Sequence, residues 1–143
     1  MARKTYPLSI VTPERTVYEG EVSSTVLPAE TGYLGVWADH APMVAALKPG
    51  MLTLYEGTSE QETAHYAIGA GFAEVSSNKM ILAVDNCELE NDIDAQRAER
   101  ALERAKELLK RGLQGDKTID VARAEAAMDR AEARLHVAYL RGK

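Results

Sequence analysis

Two different periods of hydrophobic and polar positions divide the chain. Up to about residue 90, β-forming residues alternate or cluster in short runs between turn signals: 6–11, 16–20, 22–28, 51–55, 64–68, 71–75 and 80–84. Pro49-Gly50 opens one of these runs, Glu56-Gly57 closes it, and Ser77-Asn78-Lys79 reads as a hairpin connection. Many short strands about ten residues apart predict an antiparallel sandwich or barrel. Beyond residue 90 the period becomes three and four. Ala95, Ala98, Leu102, Ala105 and Leu109 make one apolar stripe, and Val121, Ala124, Met128, Ala131, Leu135 and Ala138 make another. Both predict helices, and the short segment 112–117 folds them into an antiparallel hairpin. Lys110 and Arg111 suit the negative end of the first helix, and Gly112 is expected to terminate it.

The helices repeat each other. Ile93-Asp94-x-x-Arg97-Ala98 recurs as Ile119-Asp120-x-x-Arg123-Ala124, and the match runs on through Arg104/Arg130 and Leu109/Leu135. Two copies are too few for a solenoid, so a shared packing pattern is the plain reading. An alanine seam lets helices approach closely while burying little area, which makes the hairpin either an ordinary stable element or a weakly docked, movable one.

Composition sharpens the boundary. All five prolines precede residue 50, and residues 1–90 carry net −7 against net +2 for 91–143, within a chain of net −5. That mild acidity excludes a general nucleic-acid binder. No apolar run spans a bilayer and the first residues lack a secretory h-region, so a soluble intracellular protein is expected. One cysteine, Cys87, makes no disulfide framework and no cysteine-based zinc site. His40, His65 and His136 have no metal-ligand spacing, and His65 reads as structural. Gly69, Ala70 and Gly71 lack the Lys-Ser/Thr of a P-loop and mark a bulge or a close backbone approach. No catalytic constellation stands out, so the chain is not expected to be an enzyme, and no metal is expected.

The stretch from Glu30 to Pro42 is the most informative, with Gly32, Tyr33, Gly35, Trp37, His40 and Pro42 crowded together. It reads as one loop, either a structural sandwich corner or a contact loop. Together with Ile10-Val11-Thr12-Pro13-Glu14, Gly32-x-x-Gly35-x-x-x-x-His40-x-Pro42, Leu47-Lys48-Pro49-Gly50 and Gly69-Ala70-Gly71-Phe72-x-Glu74-Val75, it resembles the epsilon subunit family of F-type ATP synthases. The resemblance covers nearly the whole chain.

That resemblance implies an α+β fold: an N-terminal antiparallel β-sandwich of about ten strands in 1–90, then a C-terminal antiparallel two-helix hairpin in 91–143. It implies a non-catalytic rotor subunit that couples proton translocation to ATP synthesis. The sandwich would dock on the gamma subunit and the c-ring through Gly32, Tyr33, His40 and Pro42. The hairpin would inhibit ATP hydrolysis by extending into the alpha/beta head, with Arg123 and Arg134 and a basic tail at Arg141 and Lys143 as contacts. Relatives bind regulatory ATP through the Ile-Asp-x-x-Arg-Ala motif; here that implies Glu88, Ile93, Asp94, Arg97, Ala98, Arg104 and Arg130, with Arg134 as a further candidate to close the site. No other cofactor is implied. Beside this stands a plainer reading, with Asp94 as a helix N-terminal charge and the arginines on a solvated face. Membrane association would come only through the complex, at the cytoplasmic face of a bacterial plasma membrane or the stromal face of a thylakoid. A free-standing ATP-binding sensor is the alternative function, and a small β-sandwich enzyme is a third.

Overall fold

A computed structural model describes residues 3–140 of the chain. Nine strands precede the helices among the described residues: β1 (Tyr6–Val11), β2 (Thr16–Ala29), β3 (Gly32–Trp37), β4 (Met43–Leu47), β5 (Gly50–Glu56), β6 (Ala64–Ile68), β7 (Gly71–Ser76), β8 (Lys79–Val84) and β9 (Cys87–Leu89). A 3-10 turn at Glu90–Asp92 leads into α1 (Ala95–Leu113) and α2 (Val121–Leu140). Arg141 and Lys143, assigned above to a basic tail, lie outside the described residues.

The strands join in the order β1-β8-β7-β4-β2-β5-β6-β9, with β3 on β2 and β1 also paired to β2. Every pairing is antiparallel except β1 with β8, which is parallel. Between the layers lies one core, including Leu8, Ile10, Val22, Leu27, Leu52, Leu54, Met80 and Leu82, all at most 2% exposed. Tyr6 is buried with them; its hydroxyl donates to Val36 O at 2.9 Å, and burial pushes its pKa up to about 12.

The two segments 16–20 and 22–28 form one strand, not two. Gly20, which reads as a turn signal, lies under the Tyr18 ring, where a Cβ would fall 2.7 Å from Tyr18 Oη. The 30–42 loop is corrected as well: it contains β3. Val36 faces the core at 1% exposure, whereas Tyr33 and Trp37 point outward, and Trp37 lies flat over Gly35. The β7–β8 connection is a two-residue turn in which Ser77 and Asn78 both take left-handed backbone.

Gly71 marks a close backbone approach. A Cβ there would fall 2.0 Å from Ala83 O and 2.7 Å from Val84 Cα on β8. Since backbone cannot swing aside, Gly71→Ala is expected to destabilise the sandwich by about 1–3 kcal/mol. A lowered urea midpoint at unchanged slope checks this.

In the hairpin, the buried residues Ala98, Ala105, Ala124, Ala131, Leu135 and Ala138 occupy the predicted stripes. α1 ends later than Gly112. The cap is Gln114, and Gly115 (φ 105°) supplies the left-handed residue that follows it. Asp116 N–H donates to Arg111 O and Gly115 N–H to Gly112 O, which closes the helix end. Gly112 serves helix contact instead: a Cβ there would meet Val121 at 2.8 Å and Ile119 at 3.0 Å.

Candidate functional site

The repeated motif has a local cause. Asp94 caps α1, its carboxylate accepting from the Arg97 backbone N–H at 3.0 Å, and Asp120 does the same for α2 from Arg123 N–H at 3.1 Å. Four residues past each cap, Ala98 and Ala124 are buried in the helix seam. Each copy is therefore a helix start with its first packing residue. Chemistry can distinguish the copies only through what surrounds them.

Around the first copy the sandwich, the 3-10 turn and both helices enclose a cleft of about 340 Å³. It is lined by Glu88 of β9, Asp92 and Asp94, Arg97, Ala98, Ala101 and Arg104 of α1, and Arg134 of α2. The fold thus brings together five of the seven residues suggested above for ATP: Glu88, Asp94, Arg97, Ala98 and Arg104. It separates the other two. Ile93, 3% exposed, is packed with Ala67, Val137 and Ala138 beneath the hairpin. Arg130 lies on a neighbouring crevice with Ala67, Ile68, Asn86, Glu88 and Arg134. Arg134, suggested as a subunit contact, is turned inward and lies on both, its Nε 2.5 Å from Glu88 Oε1.

Sequence reasoning missed Asp92 and Ala101. Ala101 was available, because it stands three residues past Ala98 on the same helix face. The guanidinium groups of Arg97 and Arg104 have no carboxylate within 4 Å among the described residues. Two unpaired arginines beside a paired third make a fork suited to phosphate oxygens.

The other four candidates do not form one patch. Gly32 (φ 132°) and Tyr33 begin β3, whereas His40 and Pro42 follow its far end, about 20 Å away for a six-residue strand. Tyr33, 59% exposed, accepts a hydrogen bond from Met51 N–H at 3.4 Å. His40 Nδ1 lies 2.7 Å from Ala41 O, beside Asp39, which takes left-handed backbone and pairs with Lys4 at 3.0 Å. Arg123 is exposed at the start of α2.

A surface that sequence reasoning did not single out lies on the outer face of β1, β8, β7 and β4. Val44 is 73% exposed and Phe72 49%. Ala46 stands opposite Phe72, Phe72 opposite Ala83, and Glu74 between Val44 and Ile81. With Val11 at its edge, this face is mostly apolar. Val44 and Phe72 are out of phase with the buried positions of their own strands, which shows only once burial is known.

Elsewhere, His65 is held between Glu62 (2.8 Å) and Glu90 (3.4 Å), in keeping with a structural role. Burial pushes the Cys87 thiol up to about 12, which leaves almost no thiolate at neutral pH.

Comparison with known proteins gives two family matches that abut. Residues 5–90 match the ATP synthase, Delta/Epsilon chain, beta-sandwich domain, and residues 91–138 match its long alpha-helix domain. The ATP synthase epsilon chain of Anaeromyxobacter sp. (strain Fw109-5) is 42% identical over 110 residues, covering 77% of this chain and 81% of the relative. That of Prochlorococcus marinus (strain MIT 9312) is 35% identical over 131 residues, covering 92% and 96%. In fold, the chain superposes with a TM-score of 0.80 on a chain of the Euglena gracilis mitochondrial ATP synthase, at 21% identity, covering 97% of this chain and 84% of that one.

Proposed function

The chain belongs to the ATP synthase delta/epsilon chain family, as an epsilon subunit, and from that premise we propose a division of labour between its two parts. The sandwich is the docking part, a non-catalytic element of the central stalk that joins the gamma subunit and the c-ring. The hairpin is the regulatory part, restraining ATP hydrolysis by leaving the sandwich for the alpha/beta head. The match of both family domains, end to end from 5 to 138, carries this reading.

Physical features support each assignment. An exposed apolar face costs solubility unless a partner covers it, and the outer face around Val44 and Phe72 supplies such a surface for gamma. That same face disfavours a free-standing sensor, which has no partner to cover it. Gly32 and Tyr33 at one end of β3, where Tyr33 adjoins Met51 and α2, and His40 and Pro42 at the other end are proposed as separate contacts away from that face. No described helix is long and apolar enough to cross a membrane. The chain's place at the membrane is proposed to come through the complex.

The cleft beside α1 is proposed as the site of a regulatory nucleotide. Arg97 and Arg104 reach phosphate, and Ala98 and Ala101 leave room beside the helix. Asp94 already accepts the capping hydrogen bond through Oδ1, so only its second oxygen is free for a ribose or adenine group. ATP held there would keep the hairpin folded on the sandwich.

A chain ending at residue 90 tests the division. It is expected to enter the complex and sustain ATP synthesis, while ATP hydrolysis by the assembled enzyme rises. A truncated chain that fails to enter the complex would assign docking to the hairpin.

A further inference from the structure

Few large apolar side chains hold the hairpin on the sandwich. Ala67, Ile93, Val137 and Ala138 are buried at the contact, with Met51 and Ala95 at the margin. Three of these six are alanine, and each contributes far less than a buried leucine. Against so thin an apolar contact, a single polar tie weighs heavily. Arg134 of α2 and Glu88 of β9, 46 residues apart in sequence, supply one, with Nε 2.5 Å from Oε1 and both side chains about one-third exposed.

The position of this pair matters as much as its strength. Glu88 is the central residue of a three-residue strand, opposite Ala67, so its side chain shares the outer face on which the hairpin rests. Arg134 lines the 340 Å³ cleft together with Arg97 and Arg104. Among the three arginines, it alone has its charge answered by a carboxylate within the described residues. Glu88 therefore sets a carboxylate on one arginine of a cleft whose other two arginines are unpaired among the described residues.

We propose that Glu88 is a built-in substitute for phosphate: it locks Arg134, and with it the hairpin, onto the sandwich without any ligand. A polyphosphate entering the cleft must take Arg134 from Glu88. The docked state then has two interchangeable counter-ions, one in the chain and one in solution. The lock itself stands independently; the exchange rests on the nucleotide reading given above. Glu88 consequently acts as a positioning residue, and its negative charge opposes the arrival of an anion as well as competing for the arginine.

The test uses the full chain with Cys87→Ser and Val137→Cys. Val137 is fully buried at the contact, so its replacement thiol reacts only when the hairpin lifts. Glu88→Gln and Arg134→Gln are each expected to raise the labelling rate about three- to fivefold. The double exchange Glu88→Arg with Arg134→Glu is expected to return it to within about twofold of the parent, because the pair is restored. Unchanged labelling in the single variants, or no recovery in the exchange, overturns the lock. Calorimetry with inorganic tripolyphosphate then reads the competition: Glu88→Gln is expected to bind it about threefold or more tightly than the parent. Weaker binding by Glu88→Gln overturns the competition. If neither chain binds tripolyphosphate, the nucleotide reading and the exchange fall together, and the labelling data alone decide the lock.

Discussion

Val44→Asp and Phe72→Asp are each expected to weaken capture of the chain by the gamma subunit by more than about thirtyfold while leaving the sandwich folded. The two side chains are 73% and 49% exposed and lie outside the core, so each substitution should cost the fold only about 1–2 kcal/mol, through strand propensity and, at Val44, repulsion from Glu74 opposite. The outcome is different when the face is covered. A carboxylate buried against an apolar partner has no hydrogen-bond donor to replace water, and the desolvation penalty falls on the complex alone. Phe72 lies between Ala46 and Ala83 across two strand pairings, which gives it a shallow apolar setting and room for a partner side chain. Glu74, between Val44 and Ile81, and Lys79, one register step away on β8, are the charges on this part of the face. Binding measured by interferometry, with thermal melts of the free variants beside it, separates lost contact from lost fold. Trp37→Ala, on another strand and another face, is the matched control and should bind within about threefold of the parent.

Arg97→Ala is expected to lower ATP affinity about tenfold or more, whereas Arg123→Ala leaves it unchanged. The comparison is clean because the two arginines occupy the same position in two copies of one motif. Each lends its backbone N–H, not its side chain, to the capping aspartate, and alanine keeps that N–H. Helix stability therefore changes equally in the two variants. Only the surroundings differ: Arg97 shares a cleft with Arg104 and Arg134, while Arg123 is exposed at the start of α2. A charge-assisted hydrogen bond to phosphate is worth about 1.5–3 kcal/mol, which sets the tenfold floor. Arg104→Ala should follow Arg97→Ala. Equal losses at Arg97 and Arg123 would mean that ATP meets the helices as a general cation surface, and the cleft would lose its special standing.

How much of this was readable in advance follows from what periodicity reports. Clustering of β-forming residues at 64–68 and 80–84 between turn signals made these elements legible at once. It does not say which outward face is bare, and the apolar surface of β4 and β7 emerged only from the assembled sheet. Glycine misled twice for the same reason. Gly20 looks like a turn and Gly35 like part of a loop, yet each sits inside a strand beneath an aromatic ring two residues on or back. β9 has three residues, too few for any period to show. In the hairpin the alanine stripes and the repeat were plain. Its meaning as two capped helix starts required the hydrogen bonds of Asp94 and Asp120. Glu88, Asp94, Arg97 and Arg104 were reached through the family resemblance, not through any period of the chain. Arg134 and Arg130 come from the other helix, and a helical turn decides which of them faces the cleft. Ile93 was drawn in by its place in the motif, although its apolar side chain belongs under the hairpin.

Hydroxyl-radical footprinting of the full chain, alone and with the gamma subunit, tests the central claim most directly. Docking through the sheet face predicts that oxidation of Phe72, Val44 and Ile81 falls severalfold on adding gamma, while Tyr139, on the hairpin and 54% exposed, keeps its rate. Protection confined to the hairpin, with Phe72 and Val44 still open to solvent, would contradict the account and move the docking surface to the helices.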